Sequence, residues 1–230
     1  MRRARTAPLP HPLRGRSTLA AAHGRDRARP GARSARHPEG LDLADEEHQH
    51  EEIAGLQREF PDVAVLHGVE VDVTPDGTLL LPDAILTQVD YVLADLPAPQ
   101  GHTRESYTEA VLRVVRHPEV NILSKPMGAY MTASPPVPLD MMRVLKAAAE
   151  TGTVVELDAN PSSPTLDPTH CKLAAQLGVL VAINPNAHRA ARLVDYRQGA
   201  GIAREMGLAC EMIVNTWPAD RLRERFKLAS

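Results

Sequence analysis

Cysteine is nearly absent from this chain: Cys171 and Cys210 are the only two. That is too few, and too widely spaced, for a disulfide framework, so covalent cross-links are excluded as the basis of its stability. Each reads instead as a small buried residue in a reducing cytosol, which makes the expected location cytoplasmic. Also missing is any apolar run near the ~20 residues a membrane-spanning helix needs, and a membrane partner is therefore not expected. Neither a helix-hairpin-helix nor a nucleotidyltransferase motif can be found.

Residues 1–40 have no aromatic side chain and no lysine, and Asp26 and Glu39 are their only acids. Ten arginines against those two acids leave this arm at about +8; with −3 for the whole chain, the remainder stands at about −11. An acidic body is a poor match for a phosphate backbone, so nucleic acid would be reached only through the arm. The arm is built of Arg, Ala, Pro, Gly and His with no hydrophobic period, and it reads as disordered. Three origins fit its composition: a targeting peptide, a nucleic-acid-binding arm, or a GC-rich coding region read out of frame.

From Glu46 onward the pattern becomes regular; residues 41–230 are expected to form a single domain, and the 230 residues leave room for one with its own core. Ile53, Leu56 and Phe60 space a helix over Glu46–Phe60. Strands are expected at Val63–Val73, Tyr91–Ala94, Val120–Leu123, Thr153–Leu157 and Val179–Ile183. Helices are expected over Arg104–Arg116, Pro138–Glu150, Asp167–Leu177, Arg197–Met206 and Pro218–Lys227, with Pro138 in a first turn. Strand alternating with helix predicts an α/β fold around a parallel sheet or barrel. In such folds the working residues stand at the C-terminal ends of strands. Glu70, Asn160, Asn186 and His188 stand at or just beyond such ends.

Three segments carry a more specific signal: Gly68-Val69-Glu70-Val71-Asp72 before the turn Thr74-Pro75-Asp76-Gly77, Asn184-Pro185-Asn186-Ala187-His188, and Gly199 to Trp217, ending in Asn215-Thr216-Trp217-Pro218. Together they resemble the PHP (polymerase and histidinol phosphatase) domain, in the form found at the C-terminus of bacterial family X DNA polymerases. The resemblance runs over roughly residues 37–230 and is best from Val63 onward. It implies a distorted β/α barrel, incomplete here at its N-terminal end. It also implies a rim that binds up to three zinc, manganese or iron ions and hydrolyses phosphoesters. In such sites the ions lower the pKa of a water and neutralise charge on the phosphate.

The same resemblance assigns metal-ligand positions to Glu70 and His188, with His37 a third through the segment Ala35 to Leu41. It also marks departures. Pro97 stands where a ligand histidine is expected after Tyr91-Val92-Leu93-Ala94-Asp95-Leu96, and it brings no ligand atom. Lys125, in Ile122-Leu123-Ser124-Lys125-Pro126, stands where the pattern has another histidine. Asn186 stands for an aspartate. The opening His-x-His strand is missing, and its absence where the domain should begin favours the out-of-frame origin of residues 1–40. His48-Gln49-His50 imitates that motif but falls on the first helix, where residues two apart diverge. His67, His102, His117 and His170 have no family counterpart and read as surface or loop residues.

The expectation is therefore a degenerate phosphoesterase-like module with little or no catalysis, in which Lys125 pairs with Glu70 in the vacated site. The alternative is an active metal-dependent phosphoesterase acting on DNA 3′ ends or on a small phosphate ester such as histidinol phosphate. It would recruit Asp95, His67 or His102 to the rim. The cofactor would be a divalent ion in that case, or none in the degenerate one.

Overall fold

A computed structural model describes residues 43–61, 64–96, 99, 101–126, 139–159, 166–185 and 194–226. The side chains of 43–49 are outside that description. The elements in chain order are α1 (Leu43–Glu59), β1 (Gly68–Asp72), α2 (Asp83–Leu86), β2 (Tyr91–Asp95), α3 (Arg104–Val115), β3 (Ile122–Ser124) and α4 (Met141–Thr151). There follow β4 (Val154–Asp158), α5 (Pro168–Leu177), β5 (Val181–Asn184), α6 (Tyr196–Glu205) and α7 (Ala219–Phe226). Two 3-10 turns, Cys210–Met212 and Val214–Thr216, join the last two helices.

The five strands form one sheet in the order β1-β2-β3-β4-β5, every pair parallel. Chain order and spatial order coincide, as in a singly wound barrel rather than a doubly wound sheet. Among the described residues the sheet is an open arc. The α/β class and barrel-type winding expected from the sequence are thus the observed architecture.

Strand alternation sorts the side chains between two faces. Val69, Val71, Val92, Ala94, Leu123, Val155, Leu157, Val181 and Ile183 enter a large core shared with α3, α4 and α5. Their neighbours along the strands face the other way. Tyr91, Leu93, Ile122, Val154 and Ala182 form a second core with Val214, Trp217, Leu222 and Phe226, so α7 closes that face at the strands' N-terminal ends. The next residues on that same face, toward the strand C-termini, are polar. This division creates the rim described below.

The helix boundaries follow from capping chemistry. Thr103 and Ser106 form a reciprocal capping box at the start of α3. Asp140 accepts a bond from the Arg143 amide and starts α4 at Met141, later than the expected Pro138, which lies outside the described residues. Gly152 (φ 79°) and Gly178 (φ 72°) end α4 and α5 in the left-handed conformation that glycine adopts without penalty.

Three other expectations are revised. The strand expected over Val63–Val73 is confined to Gly68–Asp72, because the preceding apolar residues run in as a loop. Cys171 is buried but Cys210 is exposed, since it opens a 3-10 turn at the surface rather than a core element. His67 is a loop residue, as expected, but only 4% exposed. No helix among the described residues is long and apolar enough to cross a membrane.

Candidate functional site

Glu70, Asp95, Ser124, Glu156, Asp158 and Asn184 share the sheet face that carries the second core. The register proves the alignment: Asp95 pairs with Ser124, Glu156 with Ala182, and Asp158 with Asn184. Glu70 pairs with Leu93, two residues before Asp95. All six are therefore at or near the C-terminal ends of their strands, above an apolar floor.

The one cation that the described residues bring into this group is Lys125. Its Nζ is 3.5 Å from Glu70 Oε1 and 3.8 Å from Asp95 Oδ1. Regular alternation would place residue 125 on the Leu123 side, toward the helices. Lys125 instead has φ 43°, the only positive value at a non-glycine position among the described residues. That left-handed backbone, costing on the order of 1 kcal/mol, returns the ammonium to the carboxylate face. The side chains are sheltered, with relative exposures of 17% for Lys125, 10% for Glu70 and 20% for Asp95. Shelter reduces screening by salt, so the pairing is stronger than a surface ion pair. The Lys125–Glu70 pair expected from the sequence is present, and Asp95 joins it.

Glu156 lies deeper, 5% exposed, and Asp158 beside it is 1% exposed. Ser124 Oγ donates to Glu156 Oε2 at 2.6 Å, and Asn184 Nδ2 donates to Oε1 at 2.8 Å. Burial pushes the Glu156 carboxyl above its ordinary pKa; the Ser124 and Asn184 bonds and the Lys125 charge pull it back, while Asp158 adds to the rise. A proton at Glu156 is therefore easier to hold than at an exposed glutamate.

Of the ligand positions implied by the resemblance, Glu70 alone is among the described residues. His37 and His188 lie outside them, as do Pro97, Asn160 and Asn186. The other histidines whose side chains are described do not join the rim. His67 precedes β1 and so stands at the opposite end of the strands, its amide donating to Asp90 Oδ2 at 2.6 Å. His102 stays with its own helix start, against Ser106 Oγ at 3.2 Å and the Tyr107 ring. His117 approaches Asp83 and His170 approaches Asp167. His50 belongs to α1, as expected. Ser124, Glu156, Asp158 and Asn184 were missed as site residues. The signal was present, because acids two apart within the apolar run Val154–Asp158 must share one buried face.

Among the described residues no three His, Cys, Asp or Glu side chains gather in a metal-holding arrangement. The donor set at Glu70 and Asp95 does not suit a divalent ion while the ammonium is there. An ion ~4 Å from that charge would meet roughly 8 kcal/mol of repulsion at an effective dielectric near 20. What the arrangement can do as it stands is neutralise carboxylate charge and tie three strand ends together.

No family model matches the chain. The DNA polymerase/3′-5′ exonuclease PolX of Bacillus subtilis is 29% identical over 167 residues, covering 73% of this chain. The chain spans only 29% of that protein's length. A probable phosphatase of Thermoanaerobacter sp. is 28% identical over 171 residues, 70% of this chain and 67% of that one. In structure, the histidinol phosphate phosphatase of Lactococcus lactis, solved with zinc, L-histidinol and phosphate, has a TM-score of 0.50 at 16% identity. That match covers 74% of this chain and 76% of the other, and it supports the fold. The likeness to the PHP domain therefore holds in sequence, with PolX among the relatives, and the structural match supports the same fold.

Proposed function

We propose that this PHP-type chain is a phosphoesterase-like module with little or no metal-dependent hydrolysis. One observation carries the reading: the Lys125 ammonium stands between Glu70 and Asp95 at 3.5 and 3.8 Å, where a divalent ion would need those carboxylates. Hydrolysis by the relatives' chemistry depends on a cation that activates water and offsets phosphate charge. An ammonium supplies neither a coordination site nor an activated water. Pro97, Lys125 and Asn186, at three positions where the family pattern has ligands, support the same reading. The intact apolar strands and the terminal Asn215-Thr216-Trp217 segment argue for a fold kept in use, as a binding or scaffolding domain. Any nucleic-acid contact is assigned to the arginine-rich residues 1–40, and the reading places the chain in the cytoplasm.

The alternative is an active phosphoesterase using a zinc, manganese or iron ion. Its motivation is the number of acids on the rim face, Glu70, Asp95, Glu156 and Asp158, together with a relative described as a probable phosphatase. His188 and His37 would complete its ligands. A direct assay separates the two. The chain is supplied with zinc, manganese or iron and offered histidinol phosphate, a simple aryl phosphate and 3′-ended DNA. The degenerate reading expects release at the uncatalysed rate with each. Turnover that is abolished by a chelator would replace it with the alternative.

A further inference from the structure

The backbone at Lys125 shows how the ammonium comes to be where it is. Ser124 ends β3 with its side chain on the carboxylate face, paired in register with Asp95. Lys125, next along, departs from the strand through a left-handed φ of 43°. A branched or bulky residue resists that conformation, and even lysine adopts it at a cost. The return is a cation 3.5 Å from Glu70 and 3.8 Å from Asp95, on a face that also holds the buried Glu156 and Asp158. Three strand ends, β1, β2 and β3, meet at this one charge.

We propose that Lys125 is a tethered counter-cation that keeps divalent ions out of the rim, and that removing its charge opens a cation site with Glu70 and Asp95 as its first ligands. The proposal rests on the degenerate reading above but adds a cause to it. A chain whose rim had merely lost ligands would stay empty whatever stood at 125. A chain whose rim is held by an ammonium gains affinity when the ammonium goes.

Two considerations favour exclusion over anion binding by Lys125. Among the described residues, carboxylates outnumber the ammonium on this face, which disfavours an incoming phosphate. The side chain is also only 17% exposed, which leaves little room for an external anion to reach Nζ.

The test is manganese binding to the full chain by calorimetry and thermal denaturation, comparing the wild type with Lys125→Met, Lys125→Gly and Lys125→Arg. Met keeps the length without the charge. Gly also relieves the left-handed backbone. Arg keeps the charge. Met and Gly are expected to bind one ion per chain at least tenfold more tightly than the wild type, with an unfolding midpoint that climbs with manganese. Arg and the wild type are expected to show neither. The proposal is overturned if folded Met and Gly variants bind no better than the wild type, or if Arg gains as much as they do. Should both uncharged variants fail to fold, Lys125→Gln, which keeps a polar side chain without the charge, is measured in their place and read against the same two outcomes. Hydrolysis by the wild type would sink the degenerate reading. Failure of the variants to gain manganese, with the wild type inactive, would sink this inference alone.

Discussion

Burial raises the pKa of Glu156, and the Ser124 and Asn184 hydrogen bonds and the Lys125 charge oppose that rise without cancelling it. The consequence for stability has a definite sign. Below the unfolded-state value near 4.5 both states hold the proton, and the group exerts no penalty. As pH climbs past that value toward the raised folded one, ionisation in the folded chain becomes costly, and the stability present at low pH is lost. Glu156→Gln keeps a carbonyl for Asn184 and turns its amide toward Ser124 Oγ, but cannot ionise. Its unfolding midpoint should therefore improve on the wild type as pH is raised above about 4.5, measured by thermal melts across the range. A variant that falls further below the wild type as pH is raised would show that the carboxylate charge itself is needed by its neighbours. Lys125 makes the complementary point about legibility. The substitution for a ligand histidine, and its pairing with Glu70, could be read from the motif around it. That Asp95 shares the ammonium is set by the left-handed backbone at Lys125, which the motif does not encode.

Among the elements, the edge of β5 shows what the terminal signature contributes. Asn215 Oδ1 accepts from the Ile183 amide at 2.6 Å, and its Nδ2 donates to the Ile183 carbonyl at 3.0 Å. One side-chain amide thus stands in for a neighbouring strand, in line with the parallel bridge between Val181 and Ile213 just before it. Two backbone groups at a sheet edge are satisfied at once. Asn215→Ala should cost about 1–3 kcal/mol, because it leaves both groups without their partner, and chemical denaturation would measure it. Asn215→Asp can still accept but cannot donate, and should fall between the two. An unchanged midpoint in the alanine variant would show the edge to be satisfied by water.

Gly199 marks a second close approach at this edge. A Cβ there would lie 2.4 Å from Ile183 Cγ2 and 2.8 Å from Ala159 Cβ, so α6 can sit on the sheet only with glycine at that position. The longer elements were legible because their hydrophobic period runs for two turns or more. Asp83–Leu86 escaped, since four residues carry no period at all. The start of α4 was misplaced because Pro138 suits a first turn, yet the Asp140 carboxylate caps a later one.

At the scale of the whole molecule, the parallel order β1 to β5 and the two-faced sheet follow from a strand-helix alternation plain in the sequence. Each strand alternates between the helix-backed core and the face closed by α7, so apolar residues at the start of that second face and acids at its end make a floor and a rim. Glu156 and Asp158 escaped notice because their flanking residues marked them as part of a buried strand, where acids are uncommon. Their place on the Glu70 face emerges only when five strands are set in register. The similarity to a DNA polymerase/3′-5′ exonuclease and to a probable phosphatase agrees with that architecture, and on the reading proposed above the ammonium at the rim is what sets this chain's chemistry.

The account turns on whether that rim holds metal. Native mass spectrometry of the wild-type chain, loaded separately with zinc and manganese and then desalted, tests this directly. A mass equal to that of the bare polypeptide is the predicted result, with the cation position filled by Lys125. One or more ions retained per chain would contradict it.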